Sequence, residues 1–279
     1  MPSVRHQTES CPDVYEMAKL ACKYFTNTGH CSAGNACRFK HYTGDGLKAV
    51  RVCWIQQRQE NRRTQHISSD PTDPHHKSSA TLRAAIFVQW LVETYGTSYL
   101  SSGTGVLDIG GGRGIISFEL SCKSSIPSTL IDPRNDHDRE EGVRPNKAQR
   151  QWLKQQSKNG VKPDNLLQPS HIRTTFDSEF ITRNKDLVER SSIFIGMHAD
   201  QATEPIVDQA LACGKPFAVL PCCVFPRENP GRRLKDGREV LTYEEFVQFL
   251  EEKDERIKKA FLPFEGRNLV LYAEATEKI

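Results

Sequence analysis

The sequence has no long hydrophobic run. Its longest strongly apolar stretch, PFAVLPCCVFP, has eleven residues, which is too short to cross a bilayer as a helix. The first residues, MPSVRHQTES, contain no apolar segment of the kind found in secretory signals. These absences predict an intracellular protein, in the cytoplasm or the nucleus. Its nine cysteines are then expected to stay reduced, and to bind metal or pack in the core rather than form disulfides.

The chain also lacks a strong overall charge. Its net charge is only +3 at pH 7, but that charge is unevenly distributed. Residues 1–69 carry ten Lys or Arg against five Asp or Glu, so their net charge is +5 and that of the other 210 residues is −2. A basic amino-terminal part on a nearly neutral body suits a polyanionic partner, although basic faces are often only solvated.

Three cysteines and one histidine lie within twenty residues near the amino terminus. In CKYFTNTGHCSAGNACRFKH the spacing is C-x8-C-x5-C-x3-H, formed by Cys22, Cys31, Cys37 and His41. Thiolates and an imidazole are the usual ligands of tetrahedral Zn²⁺ sites. A segment this small has too little core to fold without a metal. We therefore predict that these four residues bind zinc, the alternative being four unrelated buried side chains.

This spacing resembles that of the CCCH zinc-finger family. The resemblance implies binding of single-stranded RNA, with aromatic side chains stacked between bases. Three aromatic residues lie between the predicted ligands, with basic residues beside them: Tyr24, Phe25 and Phe39, and Lys23, Arg38 and Lys40. Aromatic rings flanked by cations suit base stacking and phosphate attraction. The alternatives are that the rings only pack the small core, or that the finger contacts protein.

Length and composition predict three segments. Residues 1–45 would form the zinc finger. Residues 46–79 would comprise a helical segment, LKAVRVCWIQQRQENRR, and a linker rich in Ser, Asp, Pro and His. Residues 80–279 begin with apolar residues at helical spacing and then alternate strand-like and helix-like stretches, so they would form one α/β domain.

A glycine-rich segment opens this domain. GVLDIGGGRGIISFEL has the order strand, glycine loop and helix, which is typical of nucleotide-binding α/β folds. A dinucleotide fingerprint would require Gly or Ala in place of Ile115. The residues present form D-x-G-x-G-x-G instead, namely Asp108, Gly110, Gly112 and Gly114. In PSTLIDPR a second predicted strand ends at Asp132, where a carboxylate can accept hydrogen bonds from ribose hydroxyls.

Both motifs resemble those of the class I S-adenosylmethionine-dependent methyltransferases. The resemblance implies that these acids and glycines form the S-adenosylmethionine site. It also implies an acid after the third strand that contacts the adenine, for which Asp177, just after HIRTTF, is the candidate. A purely structural role for Asp108, and a turn-capping role for Asp132, are the alternatives.

The remaining pattern predicts an α/β fold class: a class I, Rossmann-like methyltransferase sheet with a small amino-terminal CCCH finger. SSIFIGMHAD and PFAVLPCCVFP would be the fourth and fifth strands, and KKAFLPF and RNLVLYAEA a closing hairpin. An insertion at about 134–169 contains basic residues at helical spacing: Lys147, Arg150, Lys154 and Lys158. They would form either a phosphate-contacting strip or an ordinary solvated face.

The predicted carboxyl ends of the strands contain the candidate catalytic residues. His198 and Asp200 follow the fourth strand and could orient or deprotonate a methyl acceptor. The Asp/Asn-Pro-Pro-aromatic signature of many N-methyltransferases is absent there, which argues mildly against exocyclic base amines. In a rival mechanism, Cys222 or Cys223 of the PCC element attacks C6 of a pyrimidine, as in cytosine-5 methyltransferases. Small core residues are the other interpretation of these cysteines.

The combination of finger, GGGRG loop, H-A-D element and P-C-C element resembles the tRNA 2′-O-methyltransferases that modify the acceptor stem. After the histidine those enzymes typically have Cys-Gly, where this chain has Ala199 and Asp200. The resemblance implies methylation of a ribose 2′-hydroxyl in RNA, with tRNA favoured as the substrate. Two other hypotheses are a non-catalytic RNA-binding protein with a degenerate methyltransferase fold, and a methyltransferase for protein or a small molecule.

Overall fold

A computed structural model describes residues 12–31, 33–63, 79–133, 143 and 145–274. The chain divides into two compact units, residues 1–75 and 76–279. The predicted linker, TQHISSDPTDPHHKSSA, lies outside the described residues except for its last two positions.

The described part of the first unit contains three α-helices: α1 (Pro12–Leu20), α2 (Lys23–Thr28) and α3 (Gly44–Arg63). The predicted helix over LKAVRVCWIQQRQENRR is confirmed as part of α3. α1 and α3 pack together around a small core that includes Ala18, Ala21 and Val50. The Trp54 indole N–H donates to the Ala18 carbonyl oxygen at 3.2 Å. Because Val50 and Trp54 belong to α3, this helix completes the small core beside the predicted finger.

The second unit is an α/β structure built on one mixed seven-stranded sheet. Its strands are β1 (Val106–Ile109), β2 (Ser128–Ile131), β3 (Ser170–Ile172), β4 (Ile193–Met197), β5 (Phe217–Leu220), β6 (Lys258–Phe261) and β7 (Leu269–Ala273). The order across the sheet is β3-β2-β1-β4-β5-β7-β6. The first five strands are parallel to one another, and β7 is antiparallel to both β5 and β6. The closing hairpin predicted from the sequence is therefore confirmed.

Eight helices of this unit are described: α4 (Ala80–Tyr95), α5 (Thr97–Leu100), α6 (Ile115–Phe118), α7 (Lys147–Lys158), α8 (Ser178–Arg183), α9 (Lys185–Arg190), α10 (Thr203–Ala212) and α11 (Tyr243–Glu251). α6 continues as a π-helical turn over Glu119–Lys123. Two residue types mark the ends of α4: the Ser79 hydroxyl accepts from Leu82 N at 3.2 Å, and Gly96 ends the helix with φ 79°.

Helices cover both faces of the sheet, because successive residues of a strand point to opposite sides. Leu107 and Phe194 lie in one apolar cluster, together with side chains of α8, α9, α10 and α11. Val106 and Ile193 lie in the other, with side chains of α4 and α6. Strands buried on both faces need to be apolar throughout, which explains why runs such as SSIFIG show no polar alternation.

Two predicted strands are shorter than the sequence suggested. β5 ends at Leu220, and Pro221 follows it. Proline has no N–H to donate to the sheet, so the PCC element leaves the strand and turns. β3 ends at Ile172, and Thr174 N donates to the Ile172 carbonyl oxygen at 3.0 Å. This tight turn removes RTTF from the predicted strand HIRTTF.

Candidate functional site

The four predicted metal ligands come together in the first unit. One ligand atom from each of Cys22, Cys31, Cys37 and His41 lies within 4.8 Å of the other three. Two backbone hydrogen bonds hold the ends of this segment side by side: Cys22 N donates to Lys40 O at 2.9 Å, and Lys40 N donates to Leu20 O at 2.8 Å. These bonds place the first and last ligands, Cys22 and His41, side by side.

The chemistry of this group fits zinc. In a tetrahedral site with Zn–S bonds of about 2.3 Å, sulfur atoms lie about 3.8 Å apart, which is compatible with the observed spread. Burial, together with the neighbouring sulfurs of Cys31 and Cys37, raises the pKa of the Cys22 thiol to about 11, against a hydrogen bond from Phe25 N that lowers it. Three thiolates at this separation repel one another, and a divalent cation removes that repulsion.

The aromatic residues of the finger differ in their surroundings. The Phe25 ring stacks on the His41 ring with centroids 4.3 Å apart and planes 4° from parallel. One face of Phe25 is therefore already covered by a metal ligand. All three rings are half-exposed, so exposure alone does not distinguish them as candidates for stacking on a base.

In the second unit the glycine loop and Asp132 lie at the same edge of the sheet. β1 and β2 are parallel neighbours with Ile109 opposite Ile131, so the residues that follow them leave the sheet together. Asp132 Oδ2 accepts a hydrogen bond from Gly112 N at 2.8 Å. Gly110, Gly112 and Gly114 have φ of 65°, 64° and 68°, the left-handed region that favours glycine. The structure thus brings the three predicted glycines after β1 and the predicted acid after β2 together at one edge of the sheet.

The side chain of Asp108 packs against the main chain of this loop. This side chain is fully buried, and Oδ2 accepts hydrogen bonds from the Ser117 hydroxyl at 2.7 Å and from Ser117 N at 3.1 Å. A Cβ atom added to Gly111 would lie 2.5 Å from the Asp108 carboxylate oxygens, so the loop main chain passes directly over that carboxylate. Burial raises the pKa of Asp108 to about 6, against the hydrogen bonds from Ser117, which lower it.

We expect the second unit to lose stability as the pH rises from about 4 to about 6. Asp108 has a pKa of 3.8 in its ordinary state and about 6 in the fold. In that interval the folded protein keeps a proton that the unfolded chain has released, so raising the pH favours unfolding. A difference of about two pKa units corresponds to about 3 kcal/mol. Urea unfolding curves across this interval measure the effect.

The control for this prediction is Asp108→Asn, which keeps an oxygen for Ser117 and removes the ionisation. Acids with a lowered pKa, such as Asp254 at about 2, change stability mainly below about pH 4 and with the opposite sign, because stability then rises with pH. An equal pH dependence in wild type and Asp108→Asn would contradict the assignment.

Asp177 has a local role in the structure. It is the N-cap of α8: Oδ1 accepts from Phe180 N at 2.9 Å, and Oδ2 accepts from the Thr175 hydroxyl at 2.6 Å. Both oxygens are thus engaged within three residues of Asp177. Its contact with an adenine stays a prediction from the family resemblance.

The segment after β4 packs against the glycine loop. A Cβ atom added to Gly110 would lie 3.0 Å from Ala199 Cβ, so the two backbones approach closely. His198 N donates to Leu220 O at 3.0 Å, which joins this segment to the end of β5. His198 and Asp200 have φ of 56° and 53°, a conformation that costs non-glycine residues energy. The predicted catalytic pair therefore lies at the same sheet edge as the predicted cofactor loop.

The PCC element reaches Asp200. Cys222 Sγ donates to Asp200 Oδ1 at 3.5 Å. Hydrogen bonding to Cys223 and burial raise the pKa of the Cys222 thiol far above its usual range, and the Asp200 carboxylate raises it further. A protonated thiol is a poor nucleophile, so this arrangement disfavours covalent attack by Cys222. Cys223 is exposed, which contradicts its interpretation as a small core residue.

Three features of this site were missed by reasoning from the sequence. They are the support of Asp108 by Ser117, the contact of Ala199 with the glycine loop, and the hydrogen bond from Cys222 to Asp200. Ser117 lies nine residues after Asp108, and Cys222 lies 22 after Asp200. Neither separation is a local periodicity, and only the folded sheet brings the partners together.

Comparison with known proteins gives one local assignment. Residues 19–41 match the family of zinc fingers of the C-x8-C-x5-C-x3-H type and similar. Together with the Cys3His group, this match supports zinc as a bound metal.

The chain matches no curated protein. It resembles a crystal structure of a Corynebacterium glutamicum protein, solved as a structural genomics target, with 15% identity and a TM-score of 0.36, over 81% of this chain and 98% of that one. Within the described ranges, no helix is long and apolar enough to cross a membrane.

Proposed function

We propose that the chain is a zinc-finger, S-adenosylmethionine-dependent methyltransferase that acts on RNA, and that its preferred reaction is 2′-O methylation of tRNA ribose. The observation that carries the proposal is the cradle formed by the left-handed glycines and Asp132 where β1 and β2 end. Parallel strands in the order β3-β2-β1-β4-β5, closed by an antiparallel hairpin, support a class I methyltransferase sheet. In open α/β sheets, ligands bind at the carboxyl ends of the strands.

The residues present fit the cofactor. The glycine loop lets a ligand approach the main chain closely, because glycines have no side chains that would block it. Asp132 offers a carboxylate for ribose hydroxyls; it lies beside the loop and is already placed by a hydrogen bond from Gly112. Asp108 is buried and supports the loop through its hydrogen bonds with Ser117, so its carboxylate does not face solvent. When bound, S-adenosylmethionine supplies an electrophilic methyl group on a sulfonium.

The chain's own contribution to the reaction would be alignment and proton transfer. Methyl transfer is an in-line displacement, so the acceptor oxygen must be held opposite the departing sulfur. His198 and Asp200 lie on the segment that packs against the glycine loop. In this proposal His198 removes the proton of the ribose 2′-hydroxyl, and Asp200 orients the acceptor.

Two surfaces support RNA as the substrate. CCCH fingers commonly bind RNA, and this one has the half-exposed rings of Tyr24 and Phe39. In the second unit, α7 exposes four basic residues at helical spacing: Lys147, Arg150, Lys154 and Lys158. A strip of cations attracts phosphates whatever the base sequence. We place the reaction in the cytoplasm or the nucleus, where finger thiols stay reduced.

Replacement of these four residues of α7 by Gln should make RNA binding less sensitive to salt. Each lost phosphate contact should reduce the slope of log affinity against log salt by about 0.7, so four contacts would reduce it by roughly 3. Fluorescence anisotropy with labelled tRNA at several salt concentrations measures this slope.

Two charged residues of the same unit provide the control. Arg183 and Lys185 are exposed and form ion pairs with Glu179 and Glu189, so their replacement by Gln should leave the slope unchanged. If the α7 variant keeps the wild-type slope, its basic residues form only a solvated face.

The activity itself can be tested with methyl-labelled S-adenosylmethionine and total RNA. We expect label in a 2′-O-methylnucleoside after digestion and mass spectrometry, mainly from the tRNA fraction. His198→Ala should slow turnover while S-adenosylmethionine still binds. Label found in a base, in protein or in a small molecule would show that the acceptor is not a ribose 2′-hydroxyl. Cofactor and RNA binding without any transfer would indicate a non-catalytic RNA-binding protein.

A further inference from the structure

A second group of metal-ligand side chains lies outside the zinc finger. One oxygen of Asp200 and the sulfur atoms of Cys222 and Cys223 all lie within 4.8 Å of one another. Among the described side chains, only this group and the finger ligands have three or more such donors in this range. The three residues come from two separate segments, those that follow β4 and β5.

The main chain explains how adjacent cysteines can face one carboxylate. In an extended strand, successive side chains point to opposite sides. Here the strand ends at Leu220, and Pro221 precedes the two cysteines outside any regular element. Both sulfur atoms can then turn towards Asp200, and Cys222 Sγ already lies 3.5 Å from Oδ1.

We propose that Asp200, Cys222 and Cys223 bind a second zinc ion and leave its fourth coordination position open. Thiolates favour Zn²⁺ over Mg²⁺ or Ca²⁺, which prefer oxygen ligands. Three protein ligands with one open position are typical of catalytic zinc, whereas closed four-ligand sites are typical of structural zinc. The chain would then contain a structural zinc site in the finger and a zinc site of the catalytic type at Asp200, Cys222 and Cys223.

The exposure of the ligands agrees with an open site. Cys223 is exposed and Cys222 and Asp200 are half-buried, so an ion and a further ligand have access from solvent. If the proposed function holds, and on that condition only, the open position would take the acceptor oxygen, and Asp200 would orient the acceptor as a ligand of this zinc. Bound zinc would then polarise that oxygen and lower the pKa of its hydroxyl, leaving His198 to take the proton.

Metal content of the full chain tests the site. We expect protein purified under reducing conditions with zinc to contain two zinc ions per chain by mass spectrometry, and Cys223→Ala and Asp200→Asn to contain one each. Cys213→Ser is the matched control, because Cys213 is half-buried and belongs to neither group; it should keep two. Circular dichroism verifies that each variant is folded.

Cobalt substitution gives an independent measurement of the ligands. In Cys22→Ala/Cys37→Ala, which lacks two finger ligands, Co²⁺ should still give tetrahedral absorption bands and thiolate charge transfer. Both signals should disappear when Cys223→Ala is added. One zinc per wild-type chain, or a second zinc that survives both Cys223→Ala and Asp200→Asn, would overturn the proposal. S-adenosylmethionine binding to the wild-type chain is measured in parallel. A chain that contains two zinc ions but does not bind S-adenosylmethionine would contradict the proposed function and leave the second zinc site standing.

Discussion

Removal of zinc should unfold the finger while the α/β unit stays folded. Among the described residues of the first unit, the small core has only a few buried apolar side chains, including Ala18, Ala21 and Val50, which is too little to stabilise it alone. Zinc contributes about 10 kcal/mol or more to the folding of such modules. After chelation we expect amide hydrogen exchange to become fast over residues 19–41 and to stay slow in β1 and β4. Each unit is compact by itself, which is why we expect the effect to stop at the first.

A single ligand substitution should have the same effect as chelation. Cys31→Ala leaves three of four ligands, so the finger should lose its zinc and its protection from exchange. Cys53→Ala is the matched control, because Cys53 belongs to the same unit but lies outside the ligand group. Slow exchange over residues 19–41 in the metal-free protein would show that packing, rather than zinc, maintains this unit.

Loss of the Asp132 carboxylate should weaken S-adenosylmethionine binding by about 1.5–3 kcal/mol, the range for hydrogen bonds to charged groups. This corresponds to roughly a 10- to 100-fold rise in Kd. Two effects add in Asp132→Ala: the ribose loses its acceptor, and Gly112 N–H loses the partner that it has at 2.8 Å. Asp132→Asn should be milder, because an amide oxygen can still accept from Gly112. Isothermal titration calorimetry measures both values.

Gly112→Val should abolish binding, since valine strongly disfavours the φ of 64° at this position and adds bulk to the loop. The control is Gly231→Val, at a position where an added Cβ meets open space. Asp164→Ala, at an exposed acid of the same unit, controls for the change in charge. If Asp132→Ala and Gly112→Val each bind S-adenosylmethionine with wild-type affinity, the cofactor does not bind at this loop.

The metal centre could be predicted from the sequence because its determinants are local. All four ligands lie within twenty residues, and their types and spacing narrow the chemistry to zinc. The glycine loop was predictable for a similar reason, since a short buried strand, several glycines and a following helix are contiguous. The same holds for the closing hairpin, whose two strands are neighbours in sequence.

Features that depend on distant residues could not be predicted. The sequence places Asp177 after a strand, but its carboxylate is used to cap α8. It suggests that the PCC cysteines belong to a strand, whereas Pro221 ends the pairing and directs Cys222 towards Asp200. Such contacts depend on where β4 and β5 end relative to each other, a difference of one or two residues that periodicity does not resolve.

The backbone bridge between Ala21 and Lys40 has a consequence for how the finger tolerates change in length. The bridge fixes the two ends of the intervening chain, so the first and last ligands keep their positions whatever lies between them. Extra residues inserted after Gly29, where an added side chain would meet open space, would only enlarge a closed loop. Doubling a loop costs only about 0.6 kcal/mol, small beside the contribution of the metal. The finger can therefore acquire longer loops without a change in its zinc site.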